Sequence, residues 1–184
     1  MAKVRKLNIL FLSIFFISGI SQGYAQTENP IKEIRNELFY TEFNFDKCLN
    51  YYNRIVELNI KSPIMQAYQA AAQSLMAKHS WNPVNKYTYL KEAQELLNRA
   101  VKEDTENPEI RFLRLYIQRS IPSYMGMSKD IAEDKAAILA NLDKLNIQEL
   151  GEDIAAYIAR YMASDEITTD PEARLIKQKL QVAN

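Results

Sequence analysis

Three prolines, each preceded by a capping side chain, mark where helices begin in this chain: Asn29-Pro30, Ser62-Pro63 and Asn107-Pro108. A side-chain oxygen on the first residue of each pair can accept from the exposed amides of the first turn. Proline suits the next position because its missing N–H has no intrahelical partner there. Glycine, which would interrupt such helices, occurs only four times in 184 residues. Strict alternation of apolar and polar residues is nearly absent, so almost none of the sequence qualifies as sheet. The expected fold class is all-α.

The helices recur with a period. Residues 46–59 align without gaps on residues 91–104, an offset of 45, and small or apolar residues match at Cys48 with Ala93, Tyr52 with Leu97 and Ile55 with Ala100. Each segment runs into a proline-led successor. Here the chain resembles the tetratricopeptide (TPR) family, whose second helix carries an alanine, a bulky residue and a further alanine at helical spacing, a pattern that Glu92 to Asn107 fits. The resemblance implies antiparallel hairpins stacked as a right-handed α-α superhelix of about seven or eight helices. The repeat-like units are 29–62, 63–107 and 108–145, with C-terminal helices in 146–182, and they form one domain over 26–184.

A standard unit has about 34 residues, so the second is roughly eleven too long. The excess is expected between its two helices, around His79-Ser80-Trp81-Asn82-Pro83, where Asn82-Pro83 interrupts helix. In the third unit Pro122 cuts the first helix, and Ile131, Ile138, Leu142 and Leu145 give the next one an apolar side. Ile147, Leu150, Ile154, Ile158 and Tyr161 line another helix at spacings of three and four, and Asp170-Pro171 caps a last one reaching about Gln181. A narrower resemblance covers Tyr68 to Lys135: the strings 75–83 and 107–115, followed by Pro122, Gly126 and Asp134-Lys135, are similar to small exported proteins of Bacteroidetes that have no assigned activity. That resemblance implies no catalytic residue.

Residues 1–25 read as a cleavable secretory signal: Lys3, Arg5 and Lys6, an apolar run from Leu7 to Ile20, then Gly23-Tyr24-Ala25. The run is shorter than the roughly 20 apolar residues that a membrane span needs. The expected location is therefore periplasmic or secreted, with no span after cleavage. Losing residues 1–25 removes three basic residues and no acidic one, leaving 20 against 23 and a net charge of −3. That balance speaks against nucleic acid, which requires a concentrated positive face. The single cysteine, Cys48, cannot form an internal disulfide, and its small-residue position in the repeat predicts burial.

No catalytic or metal motif is present, so neither cofactor nor metal is expected and the chain does not read as an enzyme. Arg111 and Arg114, three apart on a helix, fall where the repeat usually places packing residues. They read either as partners of Glu109, Asp130 or Asp134 that clamp the third hairpin, or as a fork for a ligand carboxylate such as a peptide C-terminus. His79 has no second histidine or cysteine at ligand spacing. It is expected to satisfy a helix end, with Trp81 filling the gap made by the insertion. The abundant tyrosines are expected as core or groove lining, and adjacent acids such as Glu152-Asp153 point apart on a helix, which is poor geometry for a glycosidase.

The favoured expectation is a module that binds an envelope protein or peptide in a concave groove, with Glu109, Phe112, Tyr116 and Arg119 on its third first-helix. The competing one is a small enzyme or small-molecule binder whose pocket lies near Trp81, His79, Arg111 and Arg114. A third is a structural accessory that stabilises a larger assembly.

Overall fold

Asparagine and proline together start two of the helices in the way the sequence chemistry requires. In the computed structural model, which describes residues 30–41, 43–164 and 166–180, Asn107 Oδ1 accepts from the backbone N–H groups of Glu109 and Ile110 at 3.0 and 3.2 Å. Asn82 does the same for Val84 and Asn85 at 2.9 and 3.4 Å. The expected leader, residues 1–25, and Asn29 lie outside the described residues.

Among the described residues the regular structure is entirely helical: α1 Pro30–Thr41, α2 Phe45–Leu58, α3 Pro63–His79, α4 Pro83–Glu103, α5 Pro108–Ser120, α6 Ile131–Ala140, α7 Ile147–Leu150, α8 Glu152–Met162 and α9 Asp170–Lys179. Two caps differ from the sequence reading. Ser62 occupies the cap position of α3 but makes no side-chain cap bond. Thr169, rather than Asp170, caps α9, and the Glu172 carboxylate accepts from both its backbone N–H and its hydroxyl at 2.8 and 3.0 Å.

The expected insertion between the helices of the second unit is corrected. Asn82-Pro83 opens α4 instead of breaking a helix, so only residues 80–82 separate α3 from α4. The extra length resides in the helices themselves, 17 and 21 residues against 14 in α2. The stretch read as one helix through Ile147 to Tyr161 is also divided. Gly151 sits at a φ of 87° between α7 and α8, a left-handed conformation that costs glycine little.

The 45-residue correspondence reappears as helix boundaries. Leu58 and Glu103 end α2 and α4, and Pro63 and Pro108 begin the helices that follow. Cys48, Tyr51 and Ile55 are buried, as are Ala93, Leu96 and Ala100 at the matching positions. Cys48 is fully buried and its thiol donates to the Thr41 carbonyl at 3.2 Å.

Successive helices pack on one another from α1 to α6 and again from α7 to α9, and α3 additionally touches both α1 and α5. The five buried alanines Ala67, Ala70, Ala71, Ala72 and Ala77 let neighbours approach α3 closely. The core divides into two apolar clusters. One gathers Ile34, Tyr51, Tyr68, Leu97, Ile110 and Leu113; the other gathers Phe112, Leu115, Ile138, Ile158, Met162 and Ile176. Helix α5 serves both, so it is enclosed nearly all round although its sequence carries a glutamate and three arginines.

Replacing Asn107 by alanine removes two first-turn bonds and is expected to lower the unfolding free energy by about 1 kcal/mol in urea titrations, whereas Ser62→Ala should leave it within about 0.5 kcal/mol. The Thr169 amide and then Lys135 hold the Glu172 carboxyl at about 2, below its ordinary 4.5. A carboxyl whose folded pKa is depressed stabilises the fold above the unfolded value and ceases to do so as pH falls through the folded one. Melting curves of wild type and Glu172→Gln should therefore differ steadily above about pH 5 and converge as pH approaches about 2.

Candidate binding groove and the charges beneath it

A helix buried over most of its surface must find partners for the charges it buries, and α5 does so on two faces. Toward α1, the Glu109 carboxylate accepts from Arg35 Nε at 2.7 Å, from Arg35 Nη2 at 2.8 Å and from the Tyr68 hydroxyl at 2.7 Å. Arg35 also donates to the Glu149 carbonyl of α7 at 3.2 Å. Burial opposes the charge on Arg35, yet its bonds to Glu109 outweigh that and raise its pKa. Burial and the neighbouring Glu109 charge push the Tyr68 phenol well above its ordinary range.

Toward α6, Asp134 receives both remaining buried guanidiniums. Its Oδ1 accepts from Arg111 Nη1 at 2.9 Å and Arg114 Nη2 at 2.7 Å, and its Oδ2 accepts from Arg114 Nε at 2.7 Å. Arg111 also donates to Glu133 at 2.5 Å and to the Thr105 carbonyl at 3.0 Å. For Arg111 too, burial works against the charge and the bonds to Glu133 and Asp134 overcome it, so its pKa is raised. Of the partners expected for this pair, Asp134 is the centre and Asp130 lies 3.9 Å from Arg114. Glu109 belongs to Arg35 instead. Both guanidiniums close on α6, as in the clamp reading of this pair, and neither lines the groove described next.

An open apolar groove of about 790 Å³ runs over the other side of α5. Leu38 comes from α1; Tyr68, Ala71, Leu75 and Lys78 from one face of α3; Phe112, Tyr116 and Ile117 from α5; Ile154, Tyr157 and Ile158 from α8. Glu109, held by Arg35 and Tyr68, also lines it, and a smaller polar cavity of about 110 Å³ meets Glu109 beside Arg35. One wall belongs to an aromatic cluster. Phe112 meets Tyr161 edge-on at 5.7 Å and Tyr157 at 6.5 Å, while Tyr116 lies 5.0 Å from Tyr161. Such pairs add about 0.5–1.5 kcal/mol each beyond area burial, which stiffens the wall.

The sequence-derived residues divide accordingly. Glu109, Phe112 and Tyr116 line the groove. Arg119 does not; it donates to Glu166 at 2.9 Å. His79 ends α3 with its ring 6.0 Å from Phe45. Trp81 does not fill a gap, because the insertion it was to fill does not exist: it crowns the α3–α4 turn and is 93% exposed. Trp81, His79, Arg111 and Arg114 therefore do not surround a shared cavity. Sequence reasoning missed Arg35, Glu133 and the groove faces of α3 and α8. The signal for Arg35 was a cation on the same stripe as Ile31, Ile34 and Leu38, where an apolar residue was due.

Among the described residues no three acidic, histidine or cysteine side chains are grouped to hold a metal ion. No described helix is long and apolar enough to cross a membrane. The chain matches no family model, curated protein or solved structure.

Removing the Asp134 carboxylate would leave two buried guanidiniums without their shared partner. Asp134→Ala is expected to cost about 3–5 kcal/mol in chemical denaturation, against less than about 1 kcal/mol for Glu133→Ala, whose side chain is largely exposed.

Proposed function

We propose that this chain is an exported, TPR-like, non-catalytic module that binds a segment of an envelope protein in the groove between α1, α3, α5 and α8. The observation that carries the reading is the groove itself. Its volume of about 790 Å³ falls within the range of binding clefts, and it is walled by α1, α3 and α5, the proline-led first helices of the successive units. Antiparallel repeat hairpins present their first helices along one concave side, which is where repeat proteins hold extended partners.

Three further features support it. Helix ends and helix starts keep the 45-residue register that joins the first two units. The basic, apolar and small-residue order of residues 1–25 supports export to the periplasm or beyond. Three buried side chains of reactive type are engaged structurally: Cys48 by Thr41, Glu109 by Arg35 and Tyr68, and Asp134 by Arg111 and Arg114.

Site-specific photo-crosslinking in the envelope tests the proposal. A benzoylphenylalanine replacing Ser120, on the groove, should trap a defined protein, while the same group replacing Glu95, exposed on α4, should not. Equal trapping from both positions, or none from Ser120, would overturn it.

A further inference from the structure

Three turns in a row put aromatic rings into solvent at one end of the molecule. Phe43 lies between α1 and α2 and is 86% exposed, Trp81 lies between α3 and α4 and is 93% exposed, and Tyr124 follows α5 and is 87% exposed. These turns adjoin one another. Phe45 meets His79 where the first borders the second, and Met125 and Met127 of the third pack against Ala77 and Leu90 of α3 and α4. Because packed helices stand about 8–10 Å apart, three adjoining turns make a face about 20 Å across rather than three separate projections.

The face holds more apolar surface than the three tips. Phe45 opens α2 and is 47% exposed, while Val84 and Tyr87 in the first two turns of α4 are 70% and 52% exposed. Helical Cβ bonds tilt toward the helix N-terminus, so these three side chains lean toward the same end. Taking about 150–250 Å² for a whole aromatic side chain, the six residues together present about 800 Å². The largest apolar patch on a typical monomer is only about 300–600 Å². A stable interface draws about 800 Å² from each partner, so a second copy of this face completes a contact of standard size.

Its composition suits a like partner. None of the six side chains is charged, so the face meets its own image across a twofold axis without setting these residues in like-charge conflict. Five of the six are aromatic, a class enriched at protein interfaces, and rings pair with rings edge to face.

We infer that two copies of this chain associate through this end, burying Phe43, Trp81 and Tyr124 in a twofold-symmetric contact. Phe43 and Tyr124 also line the trough, so the second copy walls that end of it. The contact goes beyond the groove-binding reading and does not depend on it.

Trp81 is the only tryptophan in the chain, so its fluorescence reports on this face alone. Sedimentation equilibrium of the mature protein over a micromolar dilution series, with iodide quenching of Trp81 measured on the same samples, tests the inference. Mass should double as concentration rises, while emission moves to shorter wavelength and quenching falls. Tyr124→Ser, which acts on both sides of the twofold axis, should weaken the dimer about tenfold or more, whereas Leu175→Ser on α9 should leave it unchanged. A monomer at every concentration would overturn the inference, as would a dimer whose Trp81 stays open to iodide or one that Tyr124→Ser does not weaken. A monomer whose Trp81 is shielded only by vesicles of phosphatidylethanolamine and phosphatidylglycerol would overturn it in favour of a bilayer surface. Each of these outcomes leaves the groove reading standing.

Discussion

Charge compensation inside α5 is the constraint on which the rest of the molecule depends. Glu109, Arg111 and Arg114 sit within six residues of a helix that is buried almost all round. An uncompensated charge in such a setting is strongly destabilising, so α5 can occupy the centre only if carboxylates and a guanidinium arrive from other helices. Arg35 comes from α1 and Asp134 from α6, on opposite sides in sequence. The two apolar clusters that α5 joins are thereby fastened by two ionic networks, one at each flank.

These networks also decide where the groove lies. Because Arg35 and Tyr68 hold Glu109, the carboxylate at the groove wall is turned inward and the trough stays apolar. Because Arg111 and Arg114 close on Asp134, their side of α5 is sealed by α6 and offers no ligand face. The groove side of α5 is left to Phe112, Tyr116 and Ile117, and the first two meet Tyr157 of α8 edge-on. Stability and binding surface are thus consequences of one arrangement: the faces of α5 that carry charge face protein, and the apolar face borders the trough.

The helical class, the proline-led starts and the matching ends of α2 and α4 were legible in the sequence, since each depends on residues within one turn of one another. Burial of Cys48 followed from its place among small residues on a helix face. The division at Asn82-Pro83 was misread because the same dipeptide can end one helix or begin another, and only the helix that follows distinguishes the two. Trp81 was misplaced with it: once α3 and α4 are long and joined by three residues, no gap remains for an indole to fill. The split at Gly151 was concealed by an apolar spacing that continues across it, because Leu150 and Ile154 on either side of the break enter the same apolar cluster.

What the sequence determined by itself was local: helix class, capping at Asn107, the 45-residue register and the burial of the cysteine, all governed by backbone hydrogen bonding and side-chain size over a few residues. What only tertiary structure decided was pairing and exposure. Arg35 and Glu109 lie 74 residues apart, and Arg114 and Asp134 lie 20 apart. Helix periodicity places such side chains on a face but does not say which other face it meets. The groove is a property of five helices together, and its apolar character depends on where those long-range ion pairs close.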